Sequence, residues 1–274
     1  MAAPLPVRRQ LRASAVYGED PPPVDDPAET YHEASKLARS TVAASGGPMG
    51  YTGRLTRLVE SDRMRPMRRP GGAVVALPEA ADLRIPLEMA IQRRRSERTF
   101  APEPLTLPAV ASLLDAAYGI RPATGDDPPG RAVPSGGGRY PLELYCIPRR
   151  VNGLPDALYH YDPWRRQLWT LDDRPASDRL ARTVAHDDIV RAGAVSFVLA
   201  ATFWRSRAKY GLRSYRFVLL EAGHSAQNLL LAAAGLDLAA VPLGGFYDRE
   251  LDGLLRLDGV NQGALYVLVA GRRR

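Results

Sequence analysis

Residues 194–203 read AVSFVLAATF, a near-continuous apolar run. No polar alternation marks one side as wet, so the run fits a strand covered on both faces. A strand of that kind needs a sheet with packed layers above and below it. Soon after, residues 214–236 carry a long helical pattern. Phe217, Leu220, His224, Asn228, Leu231 and Ala234 or Gly235 recur in it at spacings of three or four. Its second half is apolar almost all round, which predicts deep burial. Residues 222–236 are the least polar stretch of the chain, but His224, Gln227 and Asn228 interrupt them. Their length falls short of the roughly 18 residues that suggest a membrane span, so none is expected.

The flanking pattern builds the rest of the domain. Residues 107–118 (LPAVASLLDAAY) predict a helix, with Thr106 as N-cap and Gly119 as its stop. Pro86 suits the first turn of a helix running to about residue 94. Strands are predicted at 142–147, 157–161 and 167–171, joined through Asn152-Gly153 and Asp162-Pro163 as an antiparallel meander. Shorter helices follow at 176–184 and 187–191. Further strands at 238–243 and 264–270 bracket a helix at 249–255. Residues 121–141 form a Gly/Pro-rich loop. Residues 1–27, with Pro21-Pro22-Pro23, read as a flexible tail, 28–40 as a short helix, and 41–78 as an extended arm without periodicity. The expected organisation is a tail at 1–27, a helix and arm at 28–82, and a compact domain at 83–274. Its class is α+β, with a central, mostly antiparallel sheet flanked by helices.

Composition removes several functions. The single cysteine, Cys146, forms no internal disulfide, and no apolar secretory segment opens the chain, so a soluble cytoplasmic protein is expected. Lys plus Arg number 37 against 30 Asp plus Glu, a net charge of +7. The densest basic runs, 93–95 and 272–274, are short and lack interleaved aromatics, so no nucleic-acid partner is expected. Gly136-Gly137-Gly138-Arg139 is not followed by Gly-Lys-Ser/Thr, and no GxGxxG joins a strand to a helix. His32-Glu33 begins a zinc-helix pattern, but Lys36 stands where the second histidine belongs, so no metal site is expected. Residues 223–227 approximate a hydrolase elbow inside a helix, where Ser225 reads as a packing residue.

Three clusters remain. Arg94-Arg95-Ser96-Glu97-Arg98-Thr99-Phe100 sits at a helix end and has the forked donors that match phosphate oxygens. Pro134-Ser135-Gly136-Gly137-Gly138-Arg139-Tyr140-Pro141 lets backbone approach a flat ligand. Val241-Pro242-Leu243-Gly244-Gly245-Phe246 follows a strand and can turn N–H groups toward a developing negative charge. Each also has an ordinary reading on local grounds: a solvated helix end, a plain loop, a strand-to-helix turn.

In this order the three resemble the flavin-dependent nitroreductase superfamily. Tyr31-His32-Glu33-Ala34-Ser35-Lys36, Tyr215-Arg216-Phe217, residues 221–229 (EAGHSAQNL) and residues 264–271 (ALYVLVAG) resemble its SagB-type branch, the azoline dehydrogenases that work beside peptide cyclodehydratases. The resemblance implies a nitroreductase-like fold, bound FMN, and a homodimer with flavin sites at the subunit interface. It places Arg94, Ser96 and Arg98, assisted by Arg95, on the FMN phosphate and ribityl chain, with Arg272 as a further phosphate ligand. Pro134, Ser135 and Gly136 face the ring from the partner subunit. Leu243, Gly244 and Gly245 bring backbone to flavin N5, Gln227 or Asn228 lines the cleft, and His224 belongs to the core. Lys209-Tyr210, in the polar stretch 205–211 read as a loop, resembles the branch's catalytic pair. Oxidising an azoline removes a proton from one ring carbon and a hydride from its neighbour, so a base is needed beside the flavin. Either residue fits that role, and the two are assigned jointly. The implied substrate is an azoline-bearing precursor peptide, the implied partner a cyclodehydratase, and the implied final oxidant molecular oxygen. An NAD(P)H-dependent nitro or flavin reductase and a non-catalytic scaffold are the alternatives. Asn261-Gln262-Gly263 departs from the branch, where an acidic residue is expected. Only Lys36 and Lys209 are lysines, and a cation able to lose its proton fits position 209 as arginine does not.

Overall fold

All eight residues of Val195–Thr202 are buried. Alternate side chains divide between two layers. Phe197, Leu199 and Ala201 face one apolar cluster, Val198 and Ala200 the other. The apolar run is thus the middle of a three-layer sandwich, and each large side chain it buries contributes roughly 1.5–3 kcal/mol.

The computed structural model describes residues 27–36, 72–125 and 129–274. The expected tail, the end of the helix at 28–40 and most of the arm lie outside the described residues. The helices are α1 (Pro27–Ala34), α2 (Leu87–Arg93), α3 (Leu107–Tyr118), α4 (Ser177–Arg182), α5 (Asp187–Ala192), α6 (Phe203–Tyr210), α7 (Ser214–Gly235) and α8 (Asp248–Leu255). The strands are β1 (Val74–Ala76), β2 (Leu105–Thr106), β3 (Ile120–Arg121), β4 (Gly130–Arg131), β5 (Leu142–Pro148), β6 (Val151–Asn152), β7 (Leu158–Asp162), β8 (Gln167–Asp172), β9 (Val195–Thr202), β10 (Leu238–Leu243) and β11 (Gln262–Arg272). One sheet runs in the order β1-β8-β7-β5-β9-β11-β10, and every neighbouring pair in it is antiparallel. The expected α+β class with an antiparallel sheet holds, and β5-β7-β8 form the predicted meander. β1 joins the sheet ahead of residue 83.

Local chemistry explains the element ends. The Thr106 hydroxyl accepts from the Ala109 N–H at 3.4 Å, and α3 stops at Gly119. A Cβ at Gly119 would lie 2.5 Å from the Asp115 carbonyl oxygen, so only glycine lets the chain turn there. Residues 205–211 are not a loop: α6 follows β9 directly, and Gly211, at φ 54°, ends it. Arg205 and Ser206 are buried on its inner side. The buried face of α7 also differs from the predicted stripe. Val218, Glu221, Ala222, Ser225, Ala226 and Leu229 point inward, while Leu220 and His224 are exposed. The sheet and α3 select the face by fit, and Ser225 donates to the Ala117 carbonyl at 2.9 Å as a packing residue. The apolar second half of α7 is buried as predicted.

Candidate functional site

The arginine cluster is carried by the sheet edge. After α2 the chain passes along β10, where Ser96 bridges Ala240 and the Glu97 N–H donates to the Ala240 carbonyl at 3.1 Å. It then crosses to the end of β11, where the Ala101 N–H donates to the Arg272 carbonyl at 2.9 Å and Phe100 packs on Gly271. These bonds bring Arg94, Ser96, Arg98 and Arg272 to one corner. Arg98, Ser96 and Arg272 are exposed, and among the described residues none of these four side chains has a hydrogen-bond or ion-pair partner. Their neighbours differ. Arg95 bonds back to the Gln92 carbonyl at 2.6 Å, and Arg273 pairs with Glu97 and Asp237, both at 2.8 Å. Gly244 and Gly245 leave the far end of β10, four residues and thus roughly 13 Å from Ala240. Both are exposed, and a Cβ at Gly244 would meet nothing within 4 Å. The Leu243 side chain is core, and Leu243 pairs with Val267 of β11, so it is not free for a ligand in the way that Gly244 is.

The second group lies at the end of α6. Gly137, at φ 61°, presses so closely on the pair that a Cβ there would lie 2.3 Å from the Tyr210 hydroxyl and 2.9 Å from Lys209 Nζ. Lys209 Nζ sits 5.4 Å from the centre of the Tyr210 ring. That ring meets Phe217 edge-on at 4.9 Å, and Gly136 packs on Phe217. The glycine loop and the Lys-Tyr pair, distant in sequence, form one surface. Pro134 is exposed, whereas Ser135 turns inward and accepts from the Tyr140 N–H at 2.9 Å. Gln227 is exposed on α7. No hydrogen bond or ion pair among the described residues links the Lys-Tyr pair to the arginine corner.

Beneath the loop runs a buried polar network to which the sequence assigned no role. The Tyr118 hydroxyl donates to Glu221 at 2.7 Å and accepts from the Leu142 N–H at 3.2 Å. Burial pushes the Glu221 carboxyl up to about 7, against hydrogen bonds from Ser135 and Tyr118 that lower it. Arg205 donates to the Tyr140 carbonyl at 3.1 Å and pairs with Glu143 at 3.0 Å. Glu143 also meets His160 at 2.8 Å. Burial works to raise the Glu143 carboxyl, but Arg205 and His160 hold it below its ordinary value. The signal for Glu221 is an acid on the inward stripe of α7, visible once that stripe is known. Near β11, the Asn261-Gln262-Gly263 departure is met by Asp258, which accepts from the Val260, Asn261 and Gln262 N–H groups at 2.8–3.0 Å. Among the described residues no group of His, Cys, Asp and Glu side chains is placed to hold a metal ion, and no helix is long and apolar enough to cross a membrane.

The fold and the order of these elements match a class of flavin-dependent oxidoreductases. A model described as the nitroreductase family matches residues 91–272, and the chain belongs to that family. It is 33% identical over 199 residues to the nitroreductase-like protein MJ1384 of Methanocaldococcus jannaschii, covering 73% of this chain and 96% of that one. It is 28% identical over 147 residues to the trifolitoxin-processing protein TfxB of Rhizobium leguminosarum bv. trifolii, covering 52% of this chain and 39% of that longer relative. Its fold is similar, at TM-score 0.57 and 22% identity, to a chain of the E. coli microcin synthetase McbBCD complex with truncated pro-MccB17 bound, covering 90% of this chain and 92% of that one.

Proposed function

We propose that this protein is an FMN-dependent dehydrogenase that oxidises thiazoline or oxazoline rings in a ribosomally made peptide. The observation that carries the reading is the closure of Gly137 on Tyr210 and Lys209. It brings the glycine loop against the two groups able to take a proton, which supports reading loop and pair as one site. Similarity to a trifolitoxin-processing protein supports a peptide substrate, and the microcin synthetase neighbour, a complex with a truncated pro-peptide bound, supports a partner complex.

Members of the family generally bind FMN. The donor set fits an anionic ligand: forked arginines and a hydroxyl, exposed or half-buried and without partners among the described residues, at one end of β10, and open glycines at the other. In this reading Arg94, Ser96, Arg98 and Arg272 hold the phosphate, and the backbone at Gly244 or Gly245 faces the ring. FMN held by these residues would supply the hydride acceptor for the oxidation. Lys209 or Tyr210 takes the proton from the adjacent ring carbon. Phe217 and the Gly136-Gly137 backbone pack around the pair and orient it. Following the resemblance to the flavin-dependent nitroreductases, we assign the complete site to a homodimer, with the arginine corner and the glycine loop contributed by different subunits.

The test is FMN-reconstituted protein mixed in air with an azoline-bearing peptide, read by mass spectrometry as loss of two hydrogens per ring. Lys209→Ala and Tyr210→Phe should abolish the loss. Full activity in both variants overturns the site, and rapid flavin bleaching by NADPH without oxygen favours a nitro or flavin reductase. A dimer that stays colourless with FMN favours a scaffold.

A further inference from the structure

Two sequence elements take no part in the site described so far: residues 31–36 near the start and Tyr215-Arg216 at the head of α7, just before Phe217. They meet in space. Arg216 Nε donates to the Ser35 hydroxyl at 2.8 Å, and its Nη2 donates to the His32 carbonyl at 2.7 Å. The same Nη2 lies 3.2 Å from His32 Nδ1. Arg213 donates to the Ser35 carbonyl at 3.2 Å. Ser35 is 2% exposed, and its hydroxyl donates onward to the Tyr31 carbonyl at 2.6 Å. The Tyr31 ring meets Tyr215 edge-on at 5.5 Å, and Tyr215 stacks on Phe203 of α6 at 5.4 Å.

The chemistry is that of a helix end. The last carbonyls of α1 have no partners inside the helix, and cations complement that pole. An eight-residue helix is marginal in water by itself, so its order here depends on what it docks against. Arg213 and Arg216 supply that dock, and they flank the end of the turn Gly211–Arg213, immediately after Tyr210. The residue next to Arg216 is Phe217, which carries the Tyr210 ring. One side chain of α7 therefore holds the N-terminal helix while its neighbour holds the tyrosine.

We infer that Arg216 is a positioning residue, which clasps α1 through Ser35 and His32 and so fixes the turn that sets Lys209 and Tyr210 in place. The inference rests on the reading of that pair as the base.

The test uses the full chain with Arg216→Ala, Arg216→Lys and Ser35→Ala, and two readouts. Hydrogen exchange, which needs no flavin or substrate, should rise about tenfold or more across 203–213 in Arg216→Ala, the scale of one lost charge-assisted hydrogen bond. Lysine lacks the fork and should not restore protection. Ser35→Ala, which removes one of the bonds, should shift exchange in the same direction by less, and it serves if Arg216→Ala does not fold. In steady state, kcat should fall about tenfold or more while KM stays within about twofold. Unchanged exchange across 203–213 while 27–36 loosens overturns the clasp. So does an unchanged kcat in an enzyme that Lys209→Ala inactivates. A wild-type protein without azoline oxidation breaks the functional reading instead, and the exchange result still decides the clasp.

Discussion

The two halves of the site are built in opposite ways. The arginine corner hangs from a few backbone hydrogen bonds at the edge of the sheet, and Ser96, Arg98 and Arg272 are exposed there without partners among the described residues. The Lys-Tyr half stands on a buried network of Tyr118, Glu221, Ser135, Arg205, Glu143 and His160. In the proposed reading the corner receives an anion, and the other half, set in advance, suits a base whose reach to a ring carbon must be held within fractions of an ångström.

The contrast breaks most readily at Glu143. Glu143→Ala strands the buried Arg205 charge and should destabilise the fold by about 3–5 kcal/mol in denaturant unfolding. Next in size is a pH effect. The folded Glu221 value, about 7 against an ordinary 4.5, means that the folded state holds the proton more tightly than the unfolded state. Its contribution is therefore fully present below the unfolded value and is lost as pH rises to the folded one, a fall of roughly 3 kcal/mol. Glu221→Gln should remove that slope, measured as the wild-type minus variant difference in unfolding free energy at pH 4.5 and pH 8. Gly137→Ala separates activity from stability. Its Cβ would run into the hydroxyl end of the Tyr210 ring and Lys209 Nζ, so both side chains must shift. Stability should fall by about 1–2 kcal/mol from the positive φ, while azoline oxidation falls about 100-fold as the pair is displaced. At the arginine corner the sign of the contrast reverses. Arg98→Ala should leave unfolding within about 0.5 kcal/mol of wild type and still weaken FMN binding at least about tenfold by calorimetry. A large folding penalty for Arg98→Ala would erase the distinction between the halves.

Where local chemistry decides, the sequence was readable. Thr106 and Gly119 bound α3 because a hydroxyl cap and the close approach of Asp115 act within a few residues. The run at 194–203 placed the central strand because burial on both faces leaves no room for alternation. The inward face of α7 was not readable, because leucines occupy both sides of that helix and packing selects between them. Arg205 is the sharper case. An arginine in a polar stretch reads as solvated, and partners brought in from distant positions, Glu143 and the Tyr140 carbonyl among them, explain its burial. The direction of Arg95, back onto its own helix, is likewise a tertiary outcome.

The position of β10 at the end of the sheet has a consequence for solubility. An uncovered terminal strand is a template for a strand from another molecule. Ser96 and Glu97 lie against its outer side, so the segment that displays Arg94 and Arg98 also acts as a guard against edge-to-edge aggregation. Insertions or proline substitutions there would do more than weaken a binding corner: they would leave a strand edge free to recruit other chains. Variants of this segment therefore belong in side-chain swaps that keep the Glu97 N–H in place.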